Sequence, residues 1–86
     1  MLSSKHRRTL TDVFADPVRA DVPWEDIERL FVALGGDVSE GAGSRVRVAL
    51  GGVRAVFHRP HPERNTDKGA LRSVRRFLIA ANVPLP

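Results

Sequence analysis

The sequence predicts an α+β domain in which a helix, a three-stranded antiparallel sheet and a long helix follow one another, preceded by an extra N-terminal helix. Three observations carry that prediction. Residues 24–34 and 70–81 repeat apolar side chains at helical spacing. Residues 44–58 alternate apolar and polar around a Gly-Gly pair. A serine pair stands ahead of a short segment whose apolar residues share one helical face. At 86 residues and 9.5 kDa there is room for one small core.

Ser3 and Ser4 can cap the first helix, with Leu10, Val13 and Phe14 along its inner face and Asp16-Pro17 ending it. Residues up to Val22 read as a linker, so 1–22 form an extension and 23–86 the domain proper. Pro23 suits the first position of a second helix, where its missing N–H costs nothing. Trp24, Ile27, Leu30, Phe31 and Leu34 form its apolar stripe, and Gly35-Gly36 stops it. Residues 37–42 are a weak strand candidate.

Val46, Val48 and Leu50 then alternate with Arg45, Arg47 and Ala49. Gly51-Gly52 is a two-residue turn, and Val53 to His58 continue the alternation. If Leu50 and Val53 flank the turn, Val48 faces Ala55 and Val46 faces Phe57 on an apolar side. Arg47 then faces Val56 and Arg45 faces His58 on a polar side. Residues 59–66 form a loop. A last helix over 67–81 buries Ala70, Leu71, Val74, Phe77, Leu78 and Ala81.

Composition narrows the function classes. The chain has no cysteine, which excludes disulfides, thiolate nucleophiles and cysteine metal sites. No run nears the ~20 apolar residues of a membrane span, and the N-terminus is too polar for a secretory signal, so the chain reads as cytoplasmic. Fourteen Lys and Arg against ten Asp and Glu give a formal charge of +4. That charge is unevenly placed: residues 1–44 carry −3 and residues 45–76 carry +7. Twelve of the fourteen cations are arginine, whose planar fork suits phosphate. Nucleic acid is the default partner for such a basic half, the alternative being a solvated face.

The motifs resemble those of the HicA toxin family. The resemblance covers about residues 24 to 83. It begins with the helix Trp24-Glu25-Asp26-Ile27-Glu28-Arg29-Leu30 ending in Leu34-Gly35. Gly43-Ser44-Arg45 follows eight residues on, where the family usually carries Gly-Ser-His. Pro60-His61 comes next, then Gly69 eight residues past the histidine, then an apolar helix. In family members the proline typically lies two before that histidine, not adjacent to it. The resemblance implies a double-stranded-RNA-binding-domain-like fold. It also implies an mRNA interferase of a type II toxin–antitoxin system, needing no cofactor and held inactive by a HicB-type antitoxin in a hetero-oligomer. Position 45 departs from the pattern. The family's presumed catalytic residue is the histidine of Gly-Ser-His, and an arginine stays protonated and cannot accept a proton.

Metal-free RNA cleavage needs a group titrating near neutrality to take the 2′-OH proton, and cations on the phosphate. His58 is the leading candidate base, because the hairpin register puts it across from Arg45. Arg45 would clamp the scissile phosphate. His61 matches a family position and is a second catalytic candidate, with an ordering role for its loop as the alternative. Arg47, Arg54, Arg59, Lys68 and Arg72 are the expected RNA-binding residues, Lys68 and Gly69 offering the start of the last helix to a phosphate. His58-x-x-His61 also admits a zinc reading, with Glu63 and Asp67 as the further ligands nearby, although no metal is expected. A non-catalytic RNA-binding module and a pure antitoxin-sequestering protein remain open beside the ribonuclease.

Overall fold

Local signals set the helix ends. In the computed structural model, which describes residues 2–86, helix α1 spans Ser4–Val13 and the Ser3 hydroxyl accepts the His6 N–H at 3.2 Å. Helix α2 spans Trp24–Ala33. Pro23 lies one residue outside its expected place: it takes the cap position in extended conformation and bridges Asn65. Having no N–H to donate, proline fits the cap as readily as the first turn. The flanking residues then exchange backbone bonds with the loop before the last helix, Trp24 N–H to Arg64 O at 3.1 Å and Thr66 N–H to Val22 O at 2.8 Å.

Three strands follow, β1 (Asp37–Glu40), β2 (Arg45–Leu50) and β3 (Val53–His58), antiparallel in the order β1-β2-β3. The hairpin register is the expected one, from Leu50 opposite Val53 through Val46 opposite Phe57 to Arg45 opposite His58. Both turn glycines have positive φ, 57° at Gly51 and 80° at Gly52, as a turn matching strand twist requires. Gly51 is required for space as well, since a Cβ there would sit 2.5 Å from the Ala81 carbonyl oxygen. Helix α3 spans Lys68–Ala80, with Asp67 as its N-cap rather than its first residue.

Helices α2 and α3 pack on one sheet face, and α1 packs against the two of them. Trp24, Phe31, Phe57 and Phe77 form an aromatic cluster with ring centroids 5.6–6.5 Å apart. Edge-to-face pairs such as Phe57–Phe77, at 82°, add stabilisation beyond their buried area. Leu10, Val13 and Val22 join this same core, so the N-terminal extension and residues 23–86 share one hydrophobic interior. Arg75 of α3 fastens the extension from outside. Its guanidinium donates to Val13 O at 2.9 and 3.1 Å and to Ala15 O at 2.9 Å, and lies 5.7 Å from the Phe14 ring centroid. A cation there meets the orphan carbonyls at the C-terminus of α1.

Candidate nucleic-acid interface

Strand alternation sorts the basic half of the chain onto two sides of the sheet. Val46, Val48 and Phe57 point toward the helices and are buried, while Arg45, Arg47, Arg54 and His58 are exposed on the opposite, uncovered face. Ser39 and Ala49 share that face, as does Val56, which is 55% exposed between the arginines. Arg45 and His58 are the last pair of the hairpin. The Arg59 N–H donates to Ser44 O at 2.9 Å, so the neighbouring rung is hydrogen-bonded and the 45/58 rung is not. Side chains are closest at such non-hydrogen-bonded pairs, with Cβ atoms about 4.5 Å apart. A histidine on β3 thus stands beside the strand position that bears Arg45. Gly43, with φ of 62°, and the Gly41 N–H to Arg45 O bond of 2.9 Å fold the tight loop that delivers Arg45 to β2.

Arg59 is not on this face. One residue past His58, the alternation sends its side chain to the helix side, where it meets two carboxylates. Nε and Nη2 donate to Glu28 of α2 at 2.7 and 3.0 Å. Nη1 and Nη2 donate to Glu40 of β1 at 2.6 and 2.7 Å. Trp24 Nε1 also donates to Glu28. The Arg59 hydrogen bonds hold both carboxyl groups below their ordinary range and raise the guanidinium further above its own. Two carboxylates attend Arg59, so its charge is balanced within the fold.

The start of α3 is also occupied. The Asp67 carboxylate accepts the Ala70 N–H at 2.8 Å, capping the helix beside Lys68 and Gly69. Lys68 and Arg72 are exposed, but they ride on α3, on the other side of the sheet from Arg47. At 100° per residue, Arg72 lies about 100–160° around the helix from Leu71, Val74 and Leu78, off the buried stripe. His61 is exposed in the loop after β3, outside the Arg45–His58 pair. Among the described residues no three His, Asp or Glu side chains gather as a metal site would require, so His58 and His61 have no third ligand.

The Arg59–Glu28–Glu40 cluster is what sequence reading missed. A signal was present: a strand parity that puts His58 outward must put Arg59 inward. Its partners lie 31 and 19 residues away, beyond the reach of any local pattern. A groove of about 730 Å³ adjoins this cluster, between α2 and β1, lined by Trp24, Val32, Val38 and Arg59. It opens on the helix side, away from Arg45 and His58.

No helix among the described residues is long and apolar enough to cross a membrane. Searches of curated proteins and of solved structures return no match. The family model described as the HicA toxin of bacterial toxin–antitoxin systems matches residues 24–82, taking in α2, the whole sheet and α3. The match spans well over half of the chain, and the chain belongs to the HicA toxin family.

Proposed function

We propose that this chain is an RNA-cleaving toxin that acts in the cytoplasm and is neutralised by a HicB-type antitoxin. RNA lies on the open sheet face, its phosphates held by Arg45, Arg47 and Arg54. The observation that carries the reading is the cross-strand pairing of Arg45 with His58 on the uncovered face. His58 takes the proton of a ribose 2′-OH, and that oxygen attacks the adjacent phosphorus. The bond to the 5′-oxygen breaks, the departing oxygen takes a proton from solvent, and a 2′,3′-cyclic phosphate remains. Arg45 and Arg47 offset the charge that gathers on the phosphate oxygens during attack. DNA has no 2′-OH and is not cut by this route. Apolar Val56 and Ala49 offer a floor between the arginines on which a base can rest.

The test is turnover of single-stranded RNA by antitoxin-free protein. His58→Ala should lower cleavage 10²–10⁴-fold, as removal of a positioned base does, with RNA affinity nearly unchanged. His61→Ala should have a smaller effect. Activity should persist in chelator and leave 2′,3′-cyclic ends; loss in chelator would instead require a metal mechanism. A second reading, an RNA-binding module without catalysis, is favoured by one feature, the residue at position 45, an arginine that cannot accept a proton. Retained RNA affinity with no cleavage by the wild-type chain would select it.

A further inference from the structure

The hairpin that carries Arg45 and His58 has two ends. The Gly51-Gly52 turn closes one, seated against Ala81. The other opens into two loops, residues 41–44 and 59–66, and lies where strands ordinarily fray. Arg45 and His58 form the last rung there; beyond it Arg59 N–H donates to Ser44 O, and Arg45 donates to Ala42 O and accepts from Gly41 N–H. What lies beneath that rung is the Arg59 guanidinium, held by Glu28 from α2 and by Glu40 from β1. Its fork spans both carboxylates, which a lysine ammonium cannot do with the same geometry.

We propose that Arg59 is a positioning residue: by tying the open end of the hairpin to α2 and β1, it holds Arg45 and His58 as a pair facing the substrate. Its side chain leaves the strand on the helix side, so it touches neither RNA nor the reacting atoms and acts through the backbone of residues 44, 45 and 58. Glu28 is the fixed post. It is half-buried and takes the Trp24 indole N–H as well as the guanidinium. Glu40 is the lighter one, with 70% of its side chain exposed. The cluster adds no positive potential to the site, since two carboxylates surround one cation. That separates it in kind from Arg45, Arg47 and Arg54.

This inference rests on the proposed site at Arg45 and His58, and its test has one arm that needs no turnover. Amide hydrogen exchange is compared residue by residue in wild type, Arg59→Gln and Glu40→Gln. Positioning predicts at least tenfold faster exchange at Arg45 and Arg59, with Val48 and Ala55 near the turn unchanged. Uniform acceleration along the hairpin, or no change at Arg45 and Arg59, overturns the proposal. If Arg59→Gln fails to fold, the exposed Glu40→Gln variant carries this arm. In the second arm, cleavage by Arg59→Gln should lose at least tenfold in kcat while KM and the salt dependence of binding stay within twofold. Arg59→Lys should recover only part of that loss. A raised KM with flattened salt dependence in Arg59→Gln, or tighter RNA binding with undiminished kcat in Glu40→Gln, would make Arg59 a phosphate contact and refute positioning. If the wild-type chain does not cut RNA, the cleavage reading falls, and the exchange arm alone still decides whether the clamp holds the pair.

Discussion

Replacing Arg47 with alanine tests whether RNA occupies the open sheet face, and the geometry fixes the size of the effect. Three arginines, 45, 47 and 54, are exposed on that face, and Arg59 is removed from it by its two carboxylates. Three phosphate contacts on a single strand give a slope of log affinity against log salt of about −2, from about −0.7 per contact. Between 50 and 200 mM salt, affinity should therefore fall roughly 18-fold. Arg47→Ala removes one contact, leaving a slope of about −1.4 and a fall of roughly 7-fold. The assay is fluorescence anisotropy of a labelled single-stranded RNA over a salt series. Arg72→Ala is the control, because its side chain lies on the solvent side of α3, and its slope should match wild type. Two results would refute the reasoning: Arg72→Ala flattening the slope as much as Arg47→Ala, or an affinity indifferent to salt.

Other expectations concern the scaffold and its pH response. Glu28 and Glu40 have their carboxyl groups held down by Arg59, so the native state binds fewer protons there than the unfolded chain. Their stabilisation is present above the ordinary carboxylate range, near 4.5, and is lost as pH falls through the lowered values. Glu28→Gln should therefore show a shallower loss of Tm than wild type as pH drops below about 4.5, followed by circular dichroism. Leu10→Ala should cost about 2–5 kcal/mol, as truncation of a buried leucine does, and lower Tm by roughly 10 °C or more despite lying outside the family match. Gly51→Ala should destabilise more than Gly52→Ala in thermal melts, because a Cβ at 51 would collide with Ala81 while 52 opens to solvent.

The hairpin was legible because its determinants are adjacent in the chain. Alternation from Val46 to Phe57 names the buried face, two glycines fix the turn, and the register then admits no second choice. The placement of Arg45 opposite His58 followed from that register. Helix α3 was legible for a similar reason, its stripe being complete from Ala70 to Ala81. What could not be read was pairing at a distance. The engagement of Arg59 depends on where α2 and β1 bring Glu28 and Glu40, and that of Arg75 on where α1 ends. Both arginines count as free charge in a composition argument and are spent internally in the fold. Asp67 shows the same gap over a shorter span: a carboxylate capping α3 looks, in sequence, like a helix residue beside an inviting phosphate site.

If RNA lies on the open face as proposed, the seating of Gly51 against Ala81 bears on what kind of RNA that face would accept. A sheet backed by α2 and α3, which α1 braces in turn, and butted against a helix terminus at its turn behaves as a stiff plank rather than a flexible flap. A ligand laid on it gains little from the protein yielding, so the conformational adjustment falls on the RNA. A single strand, whose bases can splay and whose backbone bends at small cost, conforms to a twisted surface of arginines; an A-form duplex keeps its own curvature and its bases stay paired. On the proposed function, rigidity of the platform would act as a filter on substrate shape, selecting unpaired stretches and loops before any base is read.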